Sequence, residues 1–167
     1  MNNVGIVKGN VCSTTAMPSP KDVRALSKYI DVFVQSNAGE ECGYSDNEYA
    51  LEGCIVRPDS ESIIESADLL LFQNPITEPL QPTTKKVIVA NIDFFNDKEQ
   101  LSFFKHENID LFTFEAINDE EERGVFKDKF VNFVRFHLGD PVQPEYISLF
   151  SSSKILSEGK VIHKKLL

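Results

Sequence analysis

Ala67-Asp68-Leu69-Leu70-Leu71-Phe72 and, beyond three prolines, Lys86-Val87-Ile88-Val89-Ala90-Asn91-Ile92 are the stretches that decide the fold. Neither alternates apolar with polar residues. A strand that is apolar at nearly every position must be covered on both faces, which is the situation of a parallel sheet between two helical layers. Working outward, residues 109–114, 30–34, 4–7 and 54–56 are further short runs of β-branched, aromatic or aliphatic residues.

Helical signals lie between these runs. Ser19-Pro20-Lys21-Asp22 places an N-cap before a proline at the first helical position, and Val23, Leu26 and Ile30 then fall roughly on one face. Ser45 stands three residues before Glu48, the spacing of a capping box, and opens a short helix ended by Gly53. Asp59 or Ser60 caps a helix through Ser66. Asn96 or Asp97 caps another that carries Leu101, Phe104 and Lys105. Residues 121–138 form the longest helix, stopped by Gly139-Asp140-Pro141. Pro75, Pro79 and Pro82 make the segment after Phe72 a loop. Near the C-terminus, residues 154–156 and 161–163 flank a Gly159-containing turn and read as a β-hairpin. Strand and helix in alternation with short connections predict an α/β fold: a flavodoxin-like parallel sheet with helices on both faces, plus this small hairpin.

The chain has 167 residues, a length suited to one domain with its own core. With 41% hydrophobic and 26% charged residues it has the balance of a globular protein. A net charge of -9 opposes binding to phosphate backbones, so no nucleic acid is expected as a partner. No apolar run is long enough to span a bilayer, and no basic-then-apolar opening marks an export signal, so no membrane insertion is expected. Cys12, Cys42 and Cys54 are odd in number and without a CxxC pair. That argues against a disulfide framework and a thiolate zinc site, and points to a reducing cytoplasm.

Residue types offer little chemistry. All eight glycines are isolated, so no Gly-x-Gly-x-x-Gly or Gly-Lys-Ser/Thr loop is present to cradle a phosphate. Asp119-Glu120-Glu121-Glu122 reads as the acidic start of a helix rather than a cation site, because a metal needs converging ligands rather than a run. No metal is expected. His106, His137 and His163 have no adjacent partner for catalysis, and His106 falls where a helix end favours a cap. Asp93 ends a buried strand, where α/β sheets place their ligands, though it could equally cap a helix.

Several segments, taken in order, resemble the N-terminal domain of alanine dehydrogenase and of the NAD(P) transhydrogenase alpha subunit. Residues 19–26 resemble the family's Thr-Pro-x-x-Val-x-x-Leu helix start. Ser36-Asn37-Ala38-Gly39-Glu40 with Tyr44-Ser45-Asp46-Asn47-Glu48-Tyr49 resembles its Gly-Ala-Gly loop and the helix after it. Residues 67–71 followed by Pro75 resemble the strand leading to Lys-Val-Lys-Glu-Pro, or to Lys-Val-Asn-Ala-Pro in transhydrogenases. Residues 96–101 and 108–115 resemble the helix and strand that come next. Phe130-Val131-Asn132-Phe133-Val134 and residues 155–163 resemble the returning helix and closing hairpin of transhydrogenases.

In that family a nucleotide-binding lobe is inserted between these two pieces. The resemblance therefore implies one domain over 1–167, made of an N-terminal segment 1–117, a junction 118–128 in place of the insert, and a returning part 129–167. The family's substrate-holding Arg falls near Thr15 here, its two lysines at Leu71 and Gln73, and the dehydrogenase His at Asp93. Charge recognition and carbonyl polarisation are beyond Thr, Leu and Gln. The resemblance implies a non-catalytic binding or assembly module with no cofactor and no catalytic residue. It pairs with itself as a homodimer or with a full-length relative, as family members pair through this part. Two other expectations follow from the same residues. One is a small-molecule sensor for an amino acid or keto acid, with Thr15, Gln73, Asn74 and Asp93 as its cleft. The other is one chain of a split NAD(P)-linked transhydrogenase or dehydrogenase whose nucleotide-binding lobe is a separate chain.

Overall fold

β1 (Asn3–Ile6) is the strand from which the sheet grows in both directions. The computed structural model describes residues 3–9, 17–73, 75–92, 97–114, 120–137, 155–157 and 160–162. On one side β1 pairs in parallel with β2 (Asp31–Gln35), which pairs with the short edge strand β3 (Ile55–Arg57). On the other it pairs with β4 (Leu69–Phe72), then β5 (Lys86–Asn91) and β6 (Ile109–Phe114), all parallel. Val4 thus sits between Val32 and Leu69. β7 (Ile155–Ser157) adds to β6 antiparallel and β8 (Lys160–Ile162) pairs antiparallel with β7. Apart from edge strand β3 the order is flavodoxin-like; with it the six parallel strands run 3-2-1-4-5-6.

Residue period two sends alternate side chains to opposite layers. Val4, Ile6, Val32, Val34, Leu69, Leu71 and Val89 face one core, against α1 (Pro20–Ser27), Tyr49 of α2 (Asp46–Leu51) and Phe130, Phe133 and Val134 of α5 (Glu120–His137). Phe33, Leu70, Phe72, Ile88, Ala90 and Leu111 face the other, against α3 (Ser60–Ser66) and α4 (Lys98–Phe103). The two-sided burial read from residues 67–72 is complete: Leu69, Leu70 and Leu71 are all 0% exposed.

Local chemistry sets the helix ends. Ser19 and Ser45 each form a full capping box, with Asp22 and Glu48 respectively. Asp59 caps α3 and Asp97 caps α4, which settles the two choices the sequence left open. Ile30 belongs to neither α1 nor β2; it lies in the turn between them and packs against the core. At Gly5 the sheet comes close against α3. A β-carbon there would overlap an Ile63 methyl and stand 2.8 Å from one of Leu70.

The link from β4 to β5 is unlike the others. Parallel neighbours are usually joined through a helix, yet residues 75–85 contain none. This strap is pinned to α4 instead: the Gln100 amide donates to the Ile76 carbonyl oxygen (2.7 Å) and accepts from its N–H (2.9 Å), and Leu80 N–H donates to the Phe103 carbonyl (2.9 Å).

Candidate functional site

The sheet changes its direction of growth between β1 and β4, and the crevice outside their carboxyl ends is where an open α/β sheet receives ligands. Val7 leaves β1 still bonded to β4, its N–H donating to the Leu71 carbonyl at 3.0 Å. Lys8 N–H then donates to Oε1 of Gln35 at the end of β2, at 2.9 Å. Gln73 follows directly on β4. It is 5% exposed, and its Nε2 donates to the Met17 sulfur at 3.3 Å. Its Oε1 is buried with no hydrogen-bond partner among the described residues. A buried amide oxygen with no donor is costly, so such an atom in a crevice is a place where a ligand's N–H or O–H would be stabilised.

The crevice wall is built from the start of α1 and from α2. Met17 is 1% exposed. The next residue, Pro18, offers its carbonyl to the Tyr49 hydroxyl at 2.7 Å. Burial pushes the Tyr49 phenol far above its usual range, so it stays a neutral donor. The Gly39 turn packs against Tyr44 and Tyr49, whose rings meet edge to face. Asp46 fixes the turn after β2, accepting from the Ser36 hydroxyl (2.6 Å) and the Asn37 N–H (2.8 Å) while Asn37 takes a φ of 61°. Lys127 of α5 reaches in from the far side, 3.9 Å from the Asp22 carboxylate and 5.8 Å from the Tyr44 ring centre.

The N-terminus of α1, the helix after β1, is closed by its own capping box: the Asp22 carboxylate accepts from the Ser19 N–H at 2.7 Å and its hydroxyl at 2.6 Å. Among the described residues no group of three or more His, Cys, Asp or Glu side chains converges as a metal site would. Nor, among them, is any helix long and apolar enough to cross a membrane.

Of the four candidate cleft positions, Gln73 is placed as described; Thr15, Asn74 and Asp93 lie outside the described residues, as do Cys12 and His163. His106 lies in the turn beyond α4, whose C-cap is Phe104, and accepts the Asn108 N–H on Nδ1 (3.1 Å). His137 is packed against Phe112 and Phe133 with Nδ1 2.9 Å from the Phe133 carbonyl, and burial lowers its pKa. The cysteines need a correction. Cys54 is a buried free thiol, but Cys42 is disulfide-bonded, so an odd count did not mean that every thiol is unpaired. Residue types also failed to single out Lys86. It is 4% exposed, and its ammonium donates to the carbonyls of Glu65 (3.1 Å) and Ala67 (2.7 Å) at the C-terminal end of α3. Desolvation lowers its pKa against the opposing pull of Asp68 and Glu65. The available signal was a lysine opening an otherwise apolar strand.

The family model described as alanine dehydrogenase/PNT, N-terminal domain, matches residues 15–127. No protein of curated function matches the chain in sequence. Among solved structures, a transhydrogenase from Sinorhizobium meliloti superposes with a TM-score of 0.54 at 22% identity, over 67% of this chain and 34% of that one. An L-alanine dehydrogenase superposes with a TM-score of 0.53 at 16% identity, over 82% of this chain and 39% of that one. The chain therefore spans little more than a third of the length of either, and the likeness is one of fold.

Proposed function

Given that the chain belongs to the alanine dehydrogenase/PNT N-terminal domain family, we propose that it is a binding or assembly module without hydride transfer of its own. Gln73 carries the reading. Where the family resemblance aligns a lysine, this chain has a neutral amide held against Met17. An amide cannot supply the positive charge that would hold a carboxylate or polarise a carbonyl. Leu71, aligned with the other lysine, is wholly buried in the core.

On this reading the chain is one domain over 1–167, with segments 1–117 and 129–167 joined at 118–128 without an inserted lobe. In support, α5 runs unbroken from Glu120 to His137 and packs Phe130, Phe133 and Val134 into the first core. Its partner is a second copy or a full-length relative. Cytoplasmic placement rested on unpaired cysteines, and the bonded Cys42 removes that basis.

A second reading, a small-molecule sensor, draws on the unpartnered Gln73 Oε1 in the crevice. Its ligand would present a donor there, as the ammonium of an amino acid does. Calorimetric titration with NADH, alanine and pyruvate, combined with sizing over a range of protein concentrations, separates the readings. A concentration-dependent oligomer with no NADH binding is expected of the module. Saturable binding of alanine or pyruvate alone would favour the sensor. Micromolar NADH binding would overturn both.

A further inference from the structure

The sheet ends at β3, whose outer edge is open, whereas beyond β6 the ladder continues into β7 and β8. The register with β2 fixes which way the β3 backbone faces. The Ser36 N–H donates to the Arg57 carbonyl at 2.7 Å, so Arg57 bonds toward β2. Alternation along a parallel pair then turns the N–H and C=O of Val56 outward. The residues on either side in that outward row bring no free N–H: Pro58 has none, and that of Cys54 donates to the Tyr49 carbonyl at 3.0 Å. Beside the start of this edge stand Tyr29, Leu51 and Ile55, the exposed large hydrophobics of the described residues, at 80%, 77% and 37%. The Ser27 hydroxyl donates to the Glu52 carbonyl at 2.6 Å and so brings the ends of α1 and α2 together there. Single exposed apolar residues are ordinary, but three at one corner next to an open edge mark an interaction surface.

Charge and backbone chemistry say what fits. Ile55 and Arg57 share the sheet face of Phe33, over whose ring the Arg57 guanidinium lies at 5.3 Å. Arg57 is exposed, and it is in no ion pair among the described residues. A second copy suits this edge poorly. Paired antiparallel about Val56, it would set Pro58 against Cys54 at both ends, with no N–H to give, and would place the two Arg57 side chains diagonally across the twofold. An unlike strand brings its own N–H groups to the edge carbonyls and can bring a carboxylate to Arg57. We propose that β3 takes an antiparallel strand from an unlike protein, with an acidic residue opposite Arg57 and, two residues later, an apolar one opposite Ile55. Val56 exchanges both hydrogen bonds with the residue between them, and positions 55 and 57 then fall at the pairs where side chains approach most closely. This rests on the module reading and names the surface through which the module binds.

Amide-detected NMR titration of the full chain with the peptide acetyl-Ser-Thr-Glu-Thr-Val-Thr-Ser-amide tests this. Its Glu falls opposite Arg57 and its Val opposite Ile55. The amides of Ile55, Val56 and Arg57 should shift saturably at about millimolar peptide, and the same peptide with Lys in place of Glu should bind at least about fivefold more weakly. N-methylation of the central Thr removes the donor that the Val56 carbonyl accepts and should abolish the shifts. Val56→Pro should do the same from the protein side, since it removes an N–H that bonds nothing within the sheet. No saturable shift up to about 10 mM peptide, equal binding of the Lys peptide, or shifts unchanged by N-methylation would each overturn the proposal. So would movement of the β3 amides with protein concentration alone, which would mean that a second copy covers the edge. None of these results decides the module reading, which falls on NADH binding instead.

Discussion

The Tyr49 hydroxyl donates to the Pro18 carbonyl oxygen at 2.7 Å across 31 positions of sequence, tying α2 to the entrance of α1. Tyr49 is 0% exposed, so water cannot replace the bond. Tyr49→Phe should cost about 1–2 kcal/mol, since the buried carbonyl loses its donor while the ring stays in place. Urea unfolding checks this; a loss below about 0.5 kcal/mol would mean that the carbonyl finds another donor.

Gln73→Leu should behave in the opposite way. It removes an amide oxygen that has no partner, so stability should hold or rise by about 1 kcal/mol. If the sensor reading is right, ligand binding in the crevice disappears in the same variant. Thermal melts with and without alanine or pyruvate measure both effects.

Gly5→Ala should destabilise by about 1–3 kcal/mol, because the methyl overlaps Ile63 and crowds Leu70 and Ala67 together. Ile63→Ala in the same chain should recover part of the loss by clearing the space. A double-mutant cycle on unfolding free energies would expose a lack of coupling.

His137 gives the acid side of the stability profile. Burial lowers its pKa in the folded chain, so the unfolded state takes up the proton first. Its contribution is whole above the ordinary imidazole pKa and is lost as pH falls below it toward the folded value. An NMR titration should place the His137 midpoint below the usual range, and stability should decline as pH falls below about 6.5.

Cys54 acts at the alkaline end. Burial pushes its thiol up to about 12. A raised pKa gives stability that is present below the unfolded thiol pKa and is lost as pH rises toward 12. The folded chain should therefore leave Cys54 unlabelled by a thiol reagent at pH about 8, with rapid labelling only in denaturant. Fast labelling of the native chain would contradict its burial.

The sequence made the sheet legible because residues 67–72 and 86–92 lack any polar alternation, and only two-sided burial explains that. Ser19 and Ser45 marked their helices because capping is local chemistry. The strap was legible as a proline loop, but not its pins to α4, since Gln100 lies 24 positions from Ile76. Gln73 could be singled out by alignment with the family's lysine; its unpaired oxygen could not, because satisfaction depends on Met17, 56 positions away. Lys86 was hidden for the same reason, its carbonyl partners lying at the end of a different helix.

β6 receives its second neighbour late. Its partner β7 is made roughly forty residues after β6 itself, some seconds at ordinary rates of synthesis. Until then a strand reading Ile-Asp-Leu-Phe-Thr-Phe presents an open hydrogen-bonding edge while the rest of the sheet can already form. The returning segment is thus also the chain's protection on the ribosome, and nascent chains stalled before Ile155 should be the ones that chaperones hold longest.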